Sequence, residues 1–338
     1  MIVMAAGATS EQVEEVVRRA RQLGLTPEVS HGRERTIVGL IGHETEPDLE
    51  KLATLGGVDR VVRVLHDHPL ASRDFHPEDR VITFGPGLAL GGPEVLIMAG
   101  PCAVEGEQQL EAAAAAVRRV GVRVLRGGAF KPRTSPYSFQ GLGEPGLLLL
   151  REVADRHQMA VITEVLSAED VALVAAHADV LQVGARNMQN YRLLQALGEV
   201  DRPVLLKRGL AATVDELLQA AEYVLAGGNQ RVALCERGLR GFEPSVRFSL
   251  DITAVPVLKR LSSLPVVVDP SHAAGRAQYV PALALAGVAA GADGLLVEVH
   301  PDPSSALSDG AQSLDPEAFS ALVQQVSRVA VAVGRRAA

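Results

Sequence analysis

Val122-Arg-Val-Leu-Arg126-Gly-Gly-Ala-Phe-Lys131-Pro-Arg133-Thr134-Ser135 joins a short aliphatic run to a strongly basic loop. Its short aliphatic start suits a strand that is covered on both faces. Two glycines and a proline then turn the chain into a loop. That loop concentrates Arg126, Lys131 and Arg133 with the hydroxyls of Thr134 and Ser135. Arg offers a planar fork and Lys a compact point charge, so the group suits phosphate or carboxylate. A solvated basic loop has the same composition, and only the rest of the chain separates the two readings.

The same unit, an aliphatic run that ends in a polar loop, recurs on both sides. The predicted strands are Val95–Ala99, Val122–Arg126, Ala160–Glu164, Val180–Val183, Val204–Lys207, Val232–Cys235, Val266–Asp269 and Leu295–Val299. Helical periodicity fills the intervals, for example over Glu107–Arg119, Val214–Ala226 and Pro281–Ala290. Eight strand–helix units predict an α/β chain closed into a (β/α)8 TIM barrel over residues 93–338. A doubly wound open sheet is the alternative, but no G-x-G-x-x-G follows the first strand.

Upstream, the pattern differs. Met1–Met4 reads as a strand, and Ser10 is expected to cap a helix that Gly24 ends. Strands over Thr26–Ser30 and Thr36–Ile41, a helix over Pro47–Leu55 and a strand over Val58–Leu65 complete a βαββαβ order. This is the ferredoxin-like plan, expected over residues 1–66 with a linker over 67–92.

Composition narrows the function. The chain has 338 residues, 47% of them hydrophobic, enough for a large core. A net charge of −7 argues against a nucleic-acid or anionic-membrane partner and makes the basic loop stand out. Two cysteines, Cys102 and Cys235, make no disulfide scaffold. Without a signal-like start or a membrane-length apolar run, a cytoplasmic protein is expected.

Barrel enzymes carry their chemistry at the C-terminal ends of the strands. Here those ends carry Cys102, Arg126 with Lys131, Glu164, Arg186, Lys207, Cys235 with Arg237, His272, and Glu298 with His300; Asp309 follows in the last loop. Arg126, Lys131, Arg133, Arg186, Lys207 and Arg237 converge too much positive charge for an empty mouth, and anionic groups are implied. Cys102, His272, Glu298 and Asp309 form a second set on neighbouring strands. A thiolate, an imidazole and two carboxylates suit Mn, Fe, Co or Zn as one divalent ion, rather than Mg or Ca. Taken singly, Cys102 reads as a buried hydrophobe, His272 as a helix cap and Asp309 as a loop residue; the shared barrel mouth makes them a set. Cys235 reads as a core residue, His300 is undecided, and His66, His68, His76 and His157 read as surface residues. If both thiols face the mouth, oxidation would join Cys102 to Cys235.

At this point the chain resembles a known family, the type I 3-deoxy-D-arabino-heptulosonate 7-phosphate synthases of the β subgroup, which carry an N-terminal ferredoxin-like regulatory domain. The resemblance rests on Gly100-Pro-Cys-Ala-Val-Glu105, Arg126 to Gln140, Gln182-Val-Gly-Ala-Arg-Asn187, Leu206-Lys-Arg-Gly209, Leu234-Cys-Glu-Arg-Gly238, Asp269-Pro-Ser-His272 and Val297-Glu-Val-His-Pro301. It implies condensation of phosphoenolpyruvate with erythrose 4-phosphate, the first step toward chorismate and the aromatic amino acids. By the same resemblance, Arg126, Lys131 and Lys207 hold the phosphoenolpyruvate carboxylate, while Arg186, Lys207, Arg237 and the Ala185 amide hold its phosphate. Arg133, Thr134 and Ser135, next to Pro132, bind the phosphate of erythrose 4-phosphate. Cys102, His272, Glu298 and Asp309 bind the metal, Lys131 donates to the developing alkoxide, and Glu164 positions water. Lys131-Pro-Arg-Thr-Ser135 separates the chain from the 3-deoxy-D-manno-octulosonate 8-phosphate synthases, which take arabinose 5-phosphate and carry a Lys-Ala-Asn-Arg pattern. That sister activity and a non-catalytic amino-acid-binding regulator are the alternatives. The family also implies a homotetramer and a tyrosine or phenylalanine effector at the N-terminal domain, with Ser30–Thr36 as the effector loop.

Overall fold

Eight parallel strands close on themselves in the computed structural model, which describes residues 1–32, 35–41, 46–62, 68–132 and 135–337. The chain divides into two units, Met1–Asp79 with Leu261–Ser263, and Arg80–Arg260 with Leu264–Ala338.

In the first unit β1 (Ile2–Met4), α1 (Ser10–Gln22), β2 (Thr26–His31), β3 (Thr36–Ile41), α2 (Glu46–Ala53) and β4 (Val58–Val61) follow one another. The sheet order is β2-β3-β1-β4, with β1 antiparallel to both β3 and β4. Ile2, Met4, Val13, Val16, Ala20, Val38 and Leu52 form its core. The cap of α1 is Thr9 rather than the expected Ser10. Thr9 puts Gln12 at the third helical position, where side chain and backbone satisfy each other reciprocally; Ser10 would have put Val13 there. His68, expected at the surface, is 4% exposed. The segment after it packs within this unit, where Arg73 N donates to Leu261 O at 2.9 Å.

The second unit opens with β5 (Ile82–Gly85) and β6 (Leu88–Leu90), an antiparallel hairpin inside the stretch expected as linker. Its inward residues Ile82, Phe84, Leu88 and Leu90 share one cluster with Leu96, Met98, Val124, Ala160, Val180, Leu205, Ala233 and Leu296. These barrel residues lie toward the starts of their strands, so the hairpin plugs that end. The tight turn needs Gly87 at φ +66°.

The barrel strands are β7 (Glu94–Gly100), β8 (Val124–Arg126), β9 (Ala160–Val165), β10 (Val180–Val183), β11 (Val204–Lys207), β12 (Val232–Glu236), β13 (Val266–Val268) and β14 (Gly294–Glu298). Each pairs in parallel with the next, and β14 returns to β7, with Glu298 opposite Gly100. The helices are α3 (Glu107–Arg119), α4 (Glu144–Arg156), α5 (Val171–His177), α6 (Tyr191–Gly198), α7 (Val214–Ala226), α8 (Ala254–Leu261), α9 (Pro270–Ala274), α10 (Val280–Ala289) and α11 (Pro316–Ala332). A last short strand, β15 (Arg336–Ala337), pairs with β7. Among the described residues, no helix is long and apolar enough to cross a membrane.

Candidate active site

With one end plugged by apolar residues, the other end collects the polar ones. There a cavity of about 290 Å³ is lined by Lys131, Pro132, Ser135, Glu164, Ala185, Arg186, Lys207, Arg237, His272 and Asp309 from the expected set. Arg133 and Thr134 lie outside the described residues. Arg126 and Glu298 sit just beneath, joined by a 2.8 Å ion pair with both side chains almost fully buried.

Cys102, His272, Glu298 and Asp309 meet at one point, each offering a ligand atom within 4.8 Å of the others. The fold aims each of them. His272 lies in α9, whose N-cap is Asp269. Asp269 accepts from the His272 amide at 2.9 Å and lies 2.7 Å from Nδ1. The carboxylate assigns the ring proton to Nδ1, which leaves the Nε2 lone pair facing the cluster. Burial pushes the His272 pKa down, against the pull of Asp269, and so favours the neutral ring. Asp309 is held at φ +53° and ψ 30°, a left-handed backbone that non-glycine residues rarely adopt. Such strain persists where surroundings impose it, and here it turns the carboxylate inward.

The protonation pattern fits a cation site. Burial, reinforced by Glu298, pushes the Cys102 thiol up to about 12, so it donates to Asp309 Oδ2 at 3.2 Å. Burial also opposes ionisation of Glu298, yet the charge of His272 in its protonated form and that of Arg126 hold its carboxyl below the usual range. A soft sulfur, an imidazole nitrogen and two carboxylates compose a donor set for a borderline divalent ion, whose binding would displace the thiol proton.

Around this cluster the cations are differently engaged. Lys131 Nζ bonds the Cys102 carbonyl at 2.9 Å and the sulfur at 3.1 Å. Lys207 Nζ pairs with Asp269 at 2.5 Å. Arg237 is buried, and its Nη1 has no hydrogen-bond partner among the described residues. Arg186 is exposed at the rim. Glu164 accepts from Gln182 at 3.4 Å. A Cβ at Gly184 would come within 2.1 Å of its carboxylate, so that glycine permits the close approach.

Other polar strand ends do different work. Arg208 binds Glu236 and Asp251, each at 2.9 Å, and ties down the loop after β12. His300 is buried 3.4 Å from Glu105, outside the metal-type cluster. Cys235 packs in the interior cluster beside Met98 and Val267, while Cys102 contacts Ser308, Asp309 and Lys131. Both thiols are free.

Sequence reasoning missed Arg247, Phe248 and Gln312. Arg247 bonds Asp309 at 3.1 Å and Gln312 at 3.0 Å, and Gln312 donates to Glu298 at 2.7 Å. None of the three ends a strand, so the rule that found the other residues passes over them. The one local signal is the pair Arg247-Phe248 in the loop after β12, and Gln312 carries none.

Comparison with known proteins shows the family. Residues 80–333 match the DAHP synthetase I family, and residues 1–66 match the DAHP synthase ferredoxin-like domain. A phospho-2-dehydro-3-deoxyheptonate aldolase from Thermotoga maritima is 50% identical over 334 residues, 99% of this chain and 98% of that protein. The crystal structure of phospho-2-dehydro-3-deoxyheptonate aldolase (DAHP synthase) from the same organism covers the whole chain at a TM-score of 0.79 and 49% identity. A truncated form of 3-deoxy-D-arabino-heptulosonate 7-phosphate synthase, also from Thermotoga maritima, covers 80% of the chain at a TM-score of 0.75 and 48% identity. A 2-dehydro-3-deoxyphosphooctonate aldolase from Koribacter versatilis is 33% identical, and its match spans 72% of this chain and 94% of that protein. With residues 80–333 matching the family and a relative 50% identical over 99% of its length, the chain belongs to the DAHP synthetase I family.

Proposed function

We propose that this chain condenses phosphoenolpyruvate, erythrose 4-phosphate and water into 3-deoxy-D-arabino-heptulosonate 7-phosphate and phosphate, the opening step toward the aromatic amino acids. The observation that carries the reading is the full-length match to the heptonate enzyme, where the octonate relatives match less of the chain at lower identity.

Arg126, Lys131 and Lys207 receive the carboxylate of phosphoenolpyruvate; Arg186, Arg237, Lys207 and the Ala185 amide receive its phosphate. Among the described residues, Nη1 of Arg237 and the buried Nε of Arg126 have no hydrogen-bond partner, which supports a ligand at that end of the barrel. Arg133, Thr134 and Ser135 take the phosphate of the sugar. The cations offset the repulsion between two anionic substrates and so allow a near-attack geometry. Carbon 3 of phosphoenolpyruvate then forms a bond to the aldehyde carbon with the π electrons it shared with carbon 2, the carbonyl π electrons move onto oxygen, and carbon 2 is left electron-poor. Lys131 gives that oxygen a hydrogen bond and then a proton. Glu164 orients a water that adds to carbon 2 and takes up its proton. The carbon–oxygen bond to phosphate then breaks, phosphate leaves with its electron pair and takes up the proton of the carbon 2 hydroxyl, and a ketone remains.

Cys102, His272, Glu298 and Asp309 hold the divalent ion, one of Mn, Fe, Co or Zn, which when bound supplies Lewis acidity toward the aldehyde oxygen. The ferredoxin-like domain senses tyrosine or phenylalanine and lowers activity. Arg33 and Glu34 of the expected effector loop lie outside the described residues. The assembly is a homotetramer in the cytoplasm.

The test is a phosphate-release assay that offers erythrose 4-phosphate and arabinose 5-phosphate separately, with and without chelator. Release with erythrose 4-phosphate alone, lost in chelator and restored by Mn, is expected. Preference for arabinose 5-phosphate would favour the octulosonate reading, and full activity at verified zero metal would overturn the metal assignment.

A further inference from the structure

We propose that Phe248 is a positioning residue for Arg237, with its ring face holding the guanidinium so that its N–H groups stay free for the phosphate of phosphoenolpyruvate. The proposal rests on the reading above that Arg237 meets that phosphate.

Among the described residues, the buried cations Arg126, Lys131, Lys207 and Arg237 stand at the mouth or just beneath it. Three have their charge met by polar partners. Arg126 has Glu298 and the Pro101 carbonyl, Lys131 has the Cys102 carbonyl and sulfur, and Lys207 has Asp269. Arg237 instead lies over an aromatic face, its Cζ 4.2 Å from the Phe248 ring centroid. Its Nη1 is buried and unpaired among the described residues. A carboxylate in the position of Phe248 would neutralise the charge and occupy the in-plane donors. A ring face stabilises the cation from above or below and leaves those donors open.

The backbone holds the ring in place. Leu239 and Ser249 exchange backbone hydrogen bonds, both 2.9 Å, which closes the loop directly after Arg237. Phe248 N donates to Ala273 O at 2.8 Å, and Arg247 N to Ala274 O at 3.1 Å, so the segment is also tied to α9, next to His272. Gly238 has φ +93°, and a Cβ there would lie 2.8 Å from the Phe248 Cβ. That close approach brings the ring against the side chain one residue earlier in the chain.

Arg247 approaches the same ring more loosely, at 5.8 Å, and binds Asp309 and Gln312. The ring therefore lies by two arginines with different work. One supports the carboxylates of the metal-type cluster, and the other is kept for the substrate.

The test compares Phe248→Leu, Phe248→Tyr and Arg237→Ala in the metal-loaded full chain. Phosphoenolpyruvate affinity is measured by isothermal titration calorimetry, and kcat and KM for both substrates by phosphate release. Phe248→Leu keeps bulk but loses the ring, and it should weaken phosphoenolpyruvate about tenfold. The KM for erythrose 4-phosphate and kcat should stay within about twofold. Phe248→Tyr keeps the ring, and because Phe248 is only partly buried its hydroxyl can reach water; its affinity should match the parent. Unchanged affinity in Phe248→Leu beside a clear loss in Arg237→Ala would overturn the role of Phe248 and leave the phosphate site standing. Equal impairment of the Leu and Tyr variants, with a lowered melting point, would reduce Phe248 to packing. Unchanged affinity in Arg237→Ala would remove the phosphate assignment itself and the proposal with it.

Discussion

Replacing Arg126 by Met should expose the balance of charge beneath the mouth. Arg126 and Glu298 are 4% and 1% exposed and 2.8 Å apart, so neither can turn to solvent when the other is lost. Removing one partner of such a pair typically costs about 3–5 kcal/mol, because the remaining charge stays buried. Glu298 would keep the Gln312 amide at 2.7 Å and His272 Nε2 at 3.4 Å. Those contacts place the expected loss near the lower bound, about 3 kcal/mol, or a fall in melting temperature of roughly 6–9 °C for a unit of this size. Adding Glu298→Gln removes the stranded charge while keeping the shape, so the double variant should recover most of the loss. Calorimetry of the parent, both single variants and the double variant, all in chelator, gives the coupling energy directly. The expected coupling is at least about 2 kcal/mol, the part of the Arg126→Met loss that Glu298→Gln recovers. A single Arg126→Met variant that melts within about 2 °C of the parent, or a coupling below about 0.5 kcal/mol, would refute the reasoning.

Phe84→Ala removes the largest side chain of the hairpin plug, which is 1% exposed. The expected cost is about 3 kcal/mol or more, read as a melting shift, and a neutral result would detach the hairpin from the barrel core. Arg133→Ala should raise the KM for erythrose 4-phosphate by about tenfold or more while that for phosphoenolpyruvate changes by less than about twofold; equal losses would mean the wrong phosphate has been assigned. Titration with tyrosine and phenylalanine should lower activity, and a flat response to both would leave the N-terminal domain a structural role.

The barrel was legible because strands buried on both faces read as aliphatic runs wherever they occur, and their ends are read directly from where the runs stop. Cys102, His272, Glu298 and Asp309 could be selected as a set for that reason, though they are scattered along the chain. The hairpin plug was also written locally, in the alternation Ile82-Thr-Phe84 and Leu88-Ala-Leu90 around Gly85-Pro-Gly87. It was passed over because the surrounding prolines and charges resemble a connection. Thr9 lost to Ser10 at the helix start because either can cap, and only Gln12 at the third position discriminates.

The two units, the parallel sheet and the inventory of cations and ligands at one end are written locally, in periodicity and in where apolar runs give way to charge. Tertiary contacts set which of those charges have a protein partner before any ligand binds. Lys207 and Arg237 look alike as strand-end cations, yet one binds Asp269 and the other rests on the ring of Phe248. Those partners come from an N-cap two strands away and from an irregular loop, whose path is set by backbone contacts to α9 and by a left-handed glycine. Pairing of buried charges depends on distances of a few ångströms between segments far apart in the chain, and no local pattern encodes them.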